Sequence, residues 1–427
     1  MELKRVVVTG LGAVTPLGND SKTYWKNLIQ GVSGAVPITR FDTTNFKTKF
    51  ACEVKGFNVQ EYIHRKDARK MDLFSQYAVV SSMQAIKDAG IIADGIDAEG
   101  ESGLTSINPD RAGVIWGSGV GGFQSFMDEA KNFYQGDGTP RFSPFFIPMM
   151  IPDIASGHIS IRNGFRGPNY ATVSACASST HALIDSFNLI RLGKADVIVS
   201  GGSEAAVTEG GIGGFNALKA LSTRNDDPTR ASRPFDKTRD GFVLGEGAGA
   251  IILESLDHAL ARGANIYCEM VGGGMSADAH HITAPHPEGL GAKNVMLSTL
   301  EDAGMKPEEV DYVNVHGTST PLGDVAEAQA IQKVFGDNAY NLSISSTKSM
   351  TGHLLGAAGA IEAMASILAV KHNIVPPTIN FEHTDEALDP NLDFTFNKAR
   401  EREVGAALSN TFGFGGHNAS VLFKKFS

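Results

Sequence analysis

The strongest constraint on this chain of 427 residues is that it reads as one pattern written twice. The first half opens with an apolar run closing on glycine, Arg5-Val6-Val7-Val8-Thr9-Gly10. The second opens with Tyr267-Cys268-Glu269-Met270-Val271-Gly272. A helical segment ends Lys87-Asp88-Ala89-Gly90 in one half and Glu301-Asp302-Ala303-Gly304 in the other. Each leads to a strand closing on glycine, AGVIWG at 112–117 and YVNVHG at 312–317. A strand, a turn of small residues and a helix follow, ATVSACASSTHALI and LSISSTKSMTGHLLGAAGAIEA. Both halves finish on a Gly-rich loop feeding a strand, GFVLGEGAGAIILES and GFGGHNASVLFKK. Five features matched in the same order mark a duplicated unit. Alternation of strand, turn and helix predicts α/β architecture. The boundary is expected near Gly263, giving halves 1–263 and 264–427.

The halves are unequal, because the first carries insertions at about 20–70 and 118–165. The second insertion holds Phe142-Ser143-Pro144-Phe145-Phe146-Ile147-Pro148-Met149-Met150, too broken by proline for a regular strand or helix. Such a segment lines an apolar channel, forms a subunit contact, or folds over its own core.

The net charge of −10 argues against a general nucleic-acid binder. No apolar run has the length of a membrane span, and the opening MELKRVVVTGLG lacks a leader pattern. Cys52, Cys176 and Cys268 stand far apart and form no CxxC pair. These readings fit a chain of the reducing cytoplasm, in which Cys176 is free to work as a thiol.

Cys176 sits in Ser174-Ala175-Cys176-Ala177-Ser178, between a strand ending near Val173 and a helix carrying Leu183, Phe187 and Ile190. A helix start favours thiolate, and small neighbours admit a carbonyl, so the position suits a nucleophile. A small buried hydrophobe is the competing reading. His316 ends a strand, and His353 is expected to open a helix almost wholly small or apolar, where the helix end disfavours its protonation. Two histidines and a cysteine at strand-end turns of a duplicated α/β fold can meet in one crevice. Lys348 and Glu362 read as a neutralising internal pair or a surface pair. The loop Ser409–Asn418, SNTFGFGGHN, offers amides to an anion or oxyanion. The basic run Arg65, Lys66, Arg69 and Lys70 is either a landing site for an acidic partner, each pair on one helix face, or a solvated surface. The glycines at 117–122 fail the dinucleotide pattern, and His280, His281 and His286 have no partners to complete a zinc site.

On SACASS around Cys176, VHGTSTPLGD at 315–324, SSTKSMTGHLLGAAG at 345–359 and SNTFGFGG at 409–416, the chain resembles the decarboxylating β-ketoacyl-acyl-carrier-protein synthases of bacterial fatty-acid synthesis, most closely the synthase II branch. The resemblance runs from Val6 to the C-terminus. It implies the thiolase fold, two similar halves in an α-β-α-β-α layering, and a homodimer. It implies that Cys176 carries the acyl chain, that His316 and His353 bind the malonyl thioester and promote loss of CO2, and that Lys348, Glu362 and Asp324 support the site. It gives the oxyanion hole to the amides of Cys176 and Phe414, the pantetheine arm to Thr318 and Thr320, the gate of the acyl pocket to Phe414, and further substrate contacts to Phe412 and Val120. Acyl carrier protein is then the acidic partner expected at the basic run Arg65, Lys66, Arg69 and Lys70. No cofactor is required. Asn314, Glu362, Ser409 and Asn410 match positions that hold a monovalent cation, Na+ or K+, in some members. His417 replaces a common threonine and takes no role.

Four alternatives differ in kind. A non-decarboxylating thiolase needs a second cysteine in the final Gly-rich loop, which has none. A cysteine protease needs no second histidine. A non-catalytic chain-length partner lacks the nucleophile. A polyketide ketosynthase shares every motif and stands as the rival pathway.

Overall fold

The computed structural model describes residues 3–93 and 105–427. Met1 and Glu2 of the opening segment, and residues 94–104 of the first half, lie outside the described residues. Among the described residues, ten strands form one hydrogen-bonded sheet. They are β1 (Val6–Val14), β2 (Ala112–Gly117), β3 (Asn169–Thr172), β4 (Val197–Glu204), β5 (Gly247–Ser255), β6 (Cys268–Ala277), β7 (Tyr312–Asn314), β8 (Ser343–Ser345), β9 (Ala406–Gly413) and β10 (His417–Lys424). Their order across the sheet is β8-β7-β9-β10-β6-β1-β5-β4-β2-β3.

Read outward from the centre, β1-β5-β4-β2-β3 repeats β6-β10-β9-β7-β8. In each set the first two pairings are antiparallel and the next two parallel. The halves join where β1 pairs antiparallel with β6, Val6 opposite Met270 and Val8 opposite Cys268. The duplication read in the sequence is thus a duplication of topology.

Helices complete the layers. Helix α1 (Leu73–Ala89) covers β1, β5 and β4 from outside, and ends on Gly90 in the left-handed conformation at φ 66°. Helix α2 (Phe123–Gln135) belongs to the inserted cap. Helices α3 (Ser178–Arg191) and α6 (Ala358–His372) pack against each other and touch strands of both halves. Helix α4 (Leu290–Ala303) covers β6 and β10, with α5 (Pro321–Phe335) beside it. The sequence α1, first half-sheet, α3 with α6, second half-sheet, α4 with α5 is the five-layer arrangement. Helix α6 is central because it has no polar face: every residue from Ala358 to Val370 is buried. Ile361 and Ile367 each contribute on the order of 1.5–3 kcal/mol by leaving water. The helices approach closely where Gly359 meets α3; a Cβ there would lie 2.0 Å from Thr180 Oγ1.

Two local expectations fail. Phe146–Met150 is a short helix, not irregular chain. Pro148 lies in its first turn, where a missing N–H costs nothing. Phe142 and Phe146 stack at 5.5 Å, and Phe142 stacks on Phe133 of α2 at 5.4 Å. Phe142 and Ile147 remain exposed. The basic run is not one helix face either, because the helix is only Arg65–Ala68. Arg69 caps its end, and Lys70 lies beyond, paired with Asp67 at 3.2 Å and set over the Phe145 ring.

Candidate active site

Beyond β3 the chain turns through Ala175, at φ 50°, into a single 3-10 turn, Ala175–Ala177, and then into α3. Cys176 occupies that turn, nearly enclosed. The second half repeats the device: Leu355, at φ 48°, starts the turn Leu355–Ala357 that leads into α6. His353 therefore precedes its helix by a turn and does not open it. Its backbone is held instead in a bridge to Leu244.

The strand-end turns meet. Cys176 Sγ lies 3.0 Å from His353 Nε2. The His316 and His353 rings stand 5.2 Å apart and nearly perpendicular. His316 is fixed through its backbone: Glu327 of α5 accepts from the His316 and Gly317 amides, each at 2.8 Å.

Both imidazoles are held well below the ordinary histidine range, first by burial and next by the Lys348 ammonium. They are neutral at pH 7, and burial rather than a helix end is the main cause. Neither Nδ1 has a partner among the described residues. Lys348 and Glu362 form a buried ion pair in close contact, which resolves their reading in favour of the internal pair.

Cys176 departs from its expectation. Burial pushes its thiol up to about 11; Lys348 and the Phe414 amide, which hydrogen-bonds the sulfur, oppose this without winning. The α-helix begins only at Ser178, and burial penalises the charged form. At rest the residue is a thiol.

A cavity of about 610 Å³ opens over this cluster and is mostly apolar. Val120, Thr318, Thr320, Phe412 and Phe414 line it with Cys176 and the two histidines; Phe142–Met150 does not. The hydroxyls of Thr318 and Thr320 lie 3.0 Å apart. Asp324 stays outside the lining and accepts from the Ser319 amide (3.2 Å) and the Phe235 amide (2.9 Å), beside Arg239. It props the loop that carries the threonines, with Ser319 at φ 68°.

Asn314 and Ser409 are cross-strand neighbours on β7 and β9, with Asn410 next and α6, the helix of Glu362, packed on these strands. Among the described residues, both amide atoms of Asn314 and one Glu362 oxygen are buried without hydrogen-bond partners, while Asn410 Oδ1 accepts from Ser420. His417 is exposed and lies against Gly415. The His280 and His286 rings pair at 5.2 Å, and no metal-binding group of three or more His, Cys, Asp or Glu occurs among the described residues.

Sequence reasoning passed over Glu204, Glu327 and His181. Glu204 caps a wholly buried strand, a signal that was available, since a lone carboxylate closing an apolar run must find donors. His181 Nδ1 lies 2.6 Å from Ser174 Oγ in the nucleophile turn.

Sulfur and two uncharged imidazoles around one mostly apolar cavity suit thiol-based acyl transfer. The family model described as "Beta-ketoacyl synthase, N-terminal domain" matches residues 3–259, and "Beta-ketoacyl synthase, C-terminal domain" matches residues 267–382. A "3-oxoacyl-[acyl-carrier-protein] synthase 2" of Synechocystis sp. is 50% identical over 426 residues, covering 100% of this chain and 99% of the relative. Among solved structures, a beta-ketoacyl synthase from Burkholderia phymatum STM815 is similar at a TM-score of 0.89 and 37% identity, covering 99% of this chain and 100% of that one. A type II PKS acyl-carrier protein in complex with its ketosynthase bound to the hexaketide is similar at 0.87 and 30%, covering 100% of both chains. The chain belongs to the β-ketoacyl synthase family.

Proposed function

We propose that the chain is a 3-oxoacyl-acyl-carrier-protein synthase that elongates fatty acids by two carbons. The observation that carries this is the 3.0 Å approach of His353 Nε2 to Cys176 Sγ with the His316 ring 5.2 Å from that of His353. The relative at 50% identity bears the name 3-oxoacyl-[acyl-carrier-protein] synthase 2, while the type II PKS ketosynthase stands at 30%. This favours the fatty-acid reading.

The reaction runs in two stages. Cys176 sulfur attacks the acyl thioester, and the tetrahedral oxyanion accepts from the Cys176 and Phe414 amides. The carrier thiol leaves with the proton, and the chain remains on sulfur. Malonyl carrier then enters past Thr318 and Thr320, and its thioester oxygen accepts from the histidines. The bond to the carboxylate carbon breaks, CO2 departs, and the electron pair forms an enolate. The enolate carbon attacks the acyl thioester and sulfur leaves. Neutral imidazoles suit this, since each donates to the enolate oxygen without needing to remove a C–H proton.

Acyl carrier protein is the partner, docking on the exposed Arg65, Lys66 and Arg69 with Lys70 at their edge. The chain works as a homodimer in the cytoplasm, with no nucleic acid or membrane partner. The free edge of the sheet at β3, with exposed Tyr170, favours pairing with a second copy. A monovalent cation fits the orphaned oxygens of Asn314 and Glu362 beside Ser409 and Asn410, and would neutralise charge there without entering the chemistry.

The test is intact mass after mixing with acyl carrier. Wild type should gain one acyl group, Cys176→Ala none, and malonyl carrier should then release a 3-oxoacyl carrier two carbons longer. Elongation by Cys176→Ala would overturn the reading.

A further inference from the structure

Glu204 is a fully buried carboxylate that the chemistry above does not use. Its oxygens accept four hydrogen bonds, from the amides of Gly119 (2.8 Å), Val120 (3.1 Å) and Gly356 (3.0 Å) and from Ser118 Oγ (3.2 Å). Gly119 and Val120 wall the cavity. Gly356 lies in the turn that follows His353.

The duplication explains its presence. Ala175-Cys176-Ala177 and Leu355-Gly356-Ala357 are the same turn in the two halves, each starting at positive φ. Gly356 thus holds, in the second half, the place Cys176 holds in the first. The strands facing these turns also match: β4 ends on Glu204, and β9 ends on Gly413. A Cβ built on Gly413 would stand 2.9 Å from Ser174 O and 3.1 Å from the Cys176 amide nitrogen. A side chain at this strand end therefore enters the opposing turn beside its amide, as Glu204 does at Gly356. Glycine leaves the Cys176 amide free for substrate oxygen. Glutamate fills the matching space at Gly356.

We propose that Glu204 is a positioning residue: its carboxylate occupies the duplicated copy of the oxyanion-binding space, and so ties the cavity wall at Gly119 and Val120 to the turn that sets His353 against Cys176. The role rests on the condensation reading. Without the acceptor, the buried Gly356 amide and the part-buried Gly119 and Val120 amides lose their partner and the turn is free to shift. A displacement near 1 Å costs on the order of 10²-fold in rate. The carboxylate also faces the sulfur, together with Lys348, Glu362 and the His353 ring.

Glu204→Ala tests this, because it leaves a carboxylate-sized space lined by the same donors. Condensation should fall by about 10–100-fold with the fold retained by circular dichroism. Sodium formate, at constant ionic strength, should restore it saturably and leave wild type unchanged. Iodoacetamide labelling of Cys176 should shift to lower pH in the variant, since a negative charge facing the sulfur is gone, and formate should shift it back. If Glu204→Ala does not fold, Glu204→Gln fills the same space without the charge and should show a smaller loss, the same shift of labelling to lower pH, and no response to formate. A loss in folded Glu204→Ala that is insensitive to formate, or unchanged condensation or an unmoved labelling profile in either folded variant, would overturn the proposal. Wild type that labels but never condenses would refute the condensation reading instead, and the labelling and formate arms would still decide Glu204.

Discussion

At the scale of single residues, burial decides every charge state that matters. Burial sets Cys176 at about 11 and drives His316 and His353 to their neutral forms. The sign is therefore fixed for the free enzyme. Labelling of Cys176 by iodoacetamide should keep rising with pH toward about 11, where a helix-activated thiolate would level off near neutrality. A plateau near pH 7 would contradict this. Lys348 and Glu362 give a second residue-scale expectation. Lys348→Ala leaves a carboxylate buried and unpaired, and should cost on the order of 3–5 kcal/mol in denaturant unfolding. The double change Lys348→Met with Glu362→Leu should cost less, because no lone charge remains. A double variant weaker than the single would contradict the pairing.

At the scale of elements, the site depends on how closely α3 and α6 cross. Gly359→Ala drives a methyl into Thr180 and should destabilise by about 1–3 kcal/mol, read from chemical unfolding. Condensation should fall as well, since both turns move with their helices. Unaltered stability would mean the helices have slack there. The sequence made α6 legible as a buried element, because a run of alanine, glycine and isoleucine has no face for water. It also brought Cys176, His316 and His353 to one crevice, because strand ends of a duplicated α/β unit converge. It misplaced His353 onto the helix, since a 3-10 turn at positive φ leaves no mark in a string of small residues. The thiol state of Cys176 was illegible for a related reason: desolvation depends on what encloses the sulfur, and those residues come from distant parts of the chain. A carboxylate closing a buried strand marked Glu204 as needing donors, but not which ones: three of its four are backbone amides, of Gly119, Val120 and Gly356, which carry no side-chain signature.

At the scale of the whole molecule, duplication divides the labour. The first half supplies the sulfur and the second the two imidazoles, both halves line the cavity, and Lys348 acts on sulfur and imidazoles alike. Surface charge is a separate matter from this chemistry. Reversing Arg65 and Lys66 to glutamate should raise KM for the acyl carrier and flatten its salt dependence, while a pantetheine-linked analogue turns over as before. Equal losses on both substrates would make the basic turn structural. The division of labour is tested most directly by His353→Ala, followed by intact mass for acylation and by labelled CO2 for decarboxylation. Acyl transfer needs the thiol and the amides of Cys176 and Phe414, so the variant should still take the acyl group. Decarboxylation needs donors on the malonyl thioester oxygen, so CO2 release should fall on the order of 10²–10³-fold or more. If both steps fall by the same factor, His353 belongs to thiol activation or to the core, and the two-stage site is wrong.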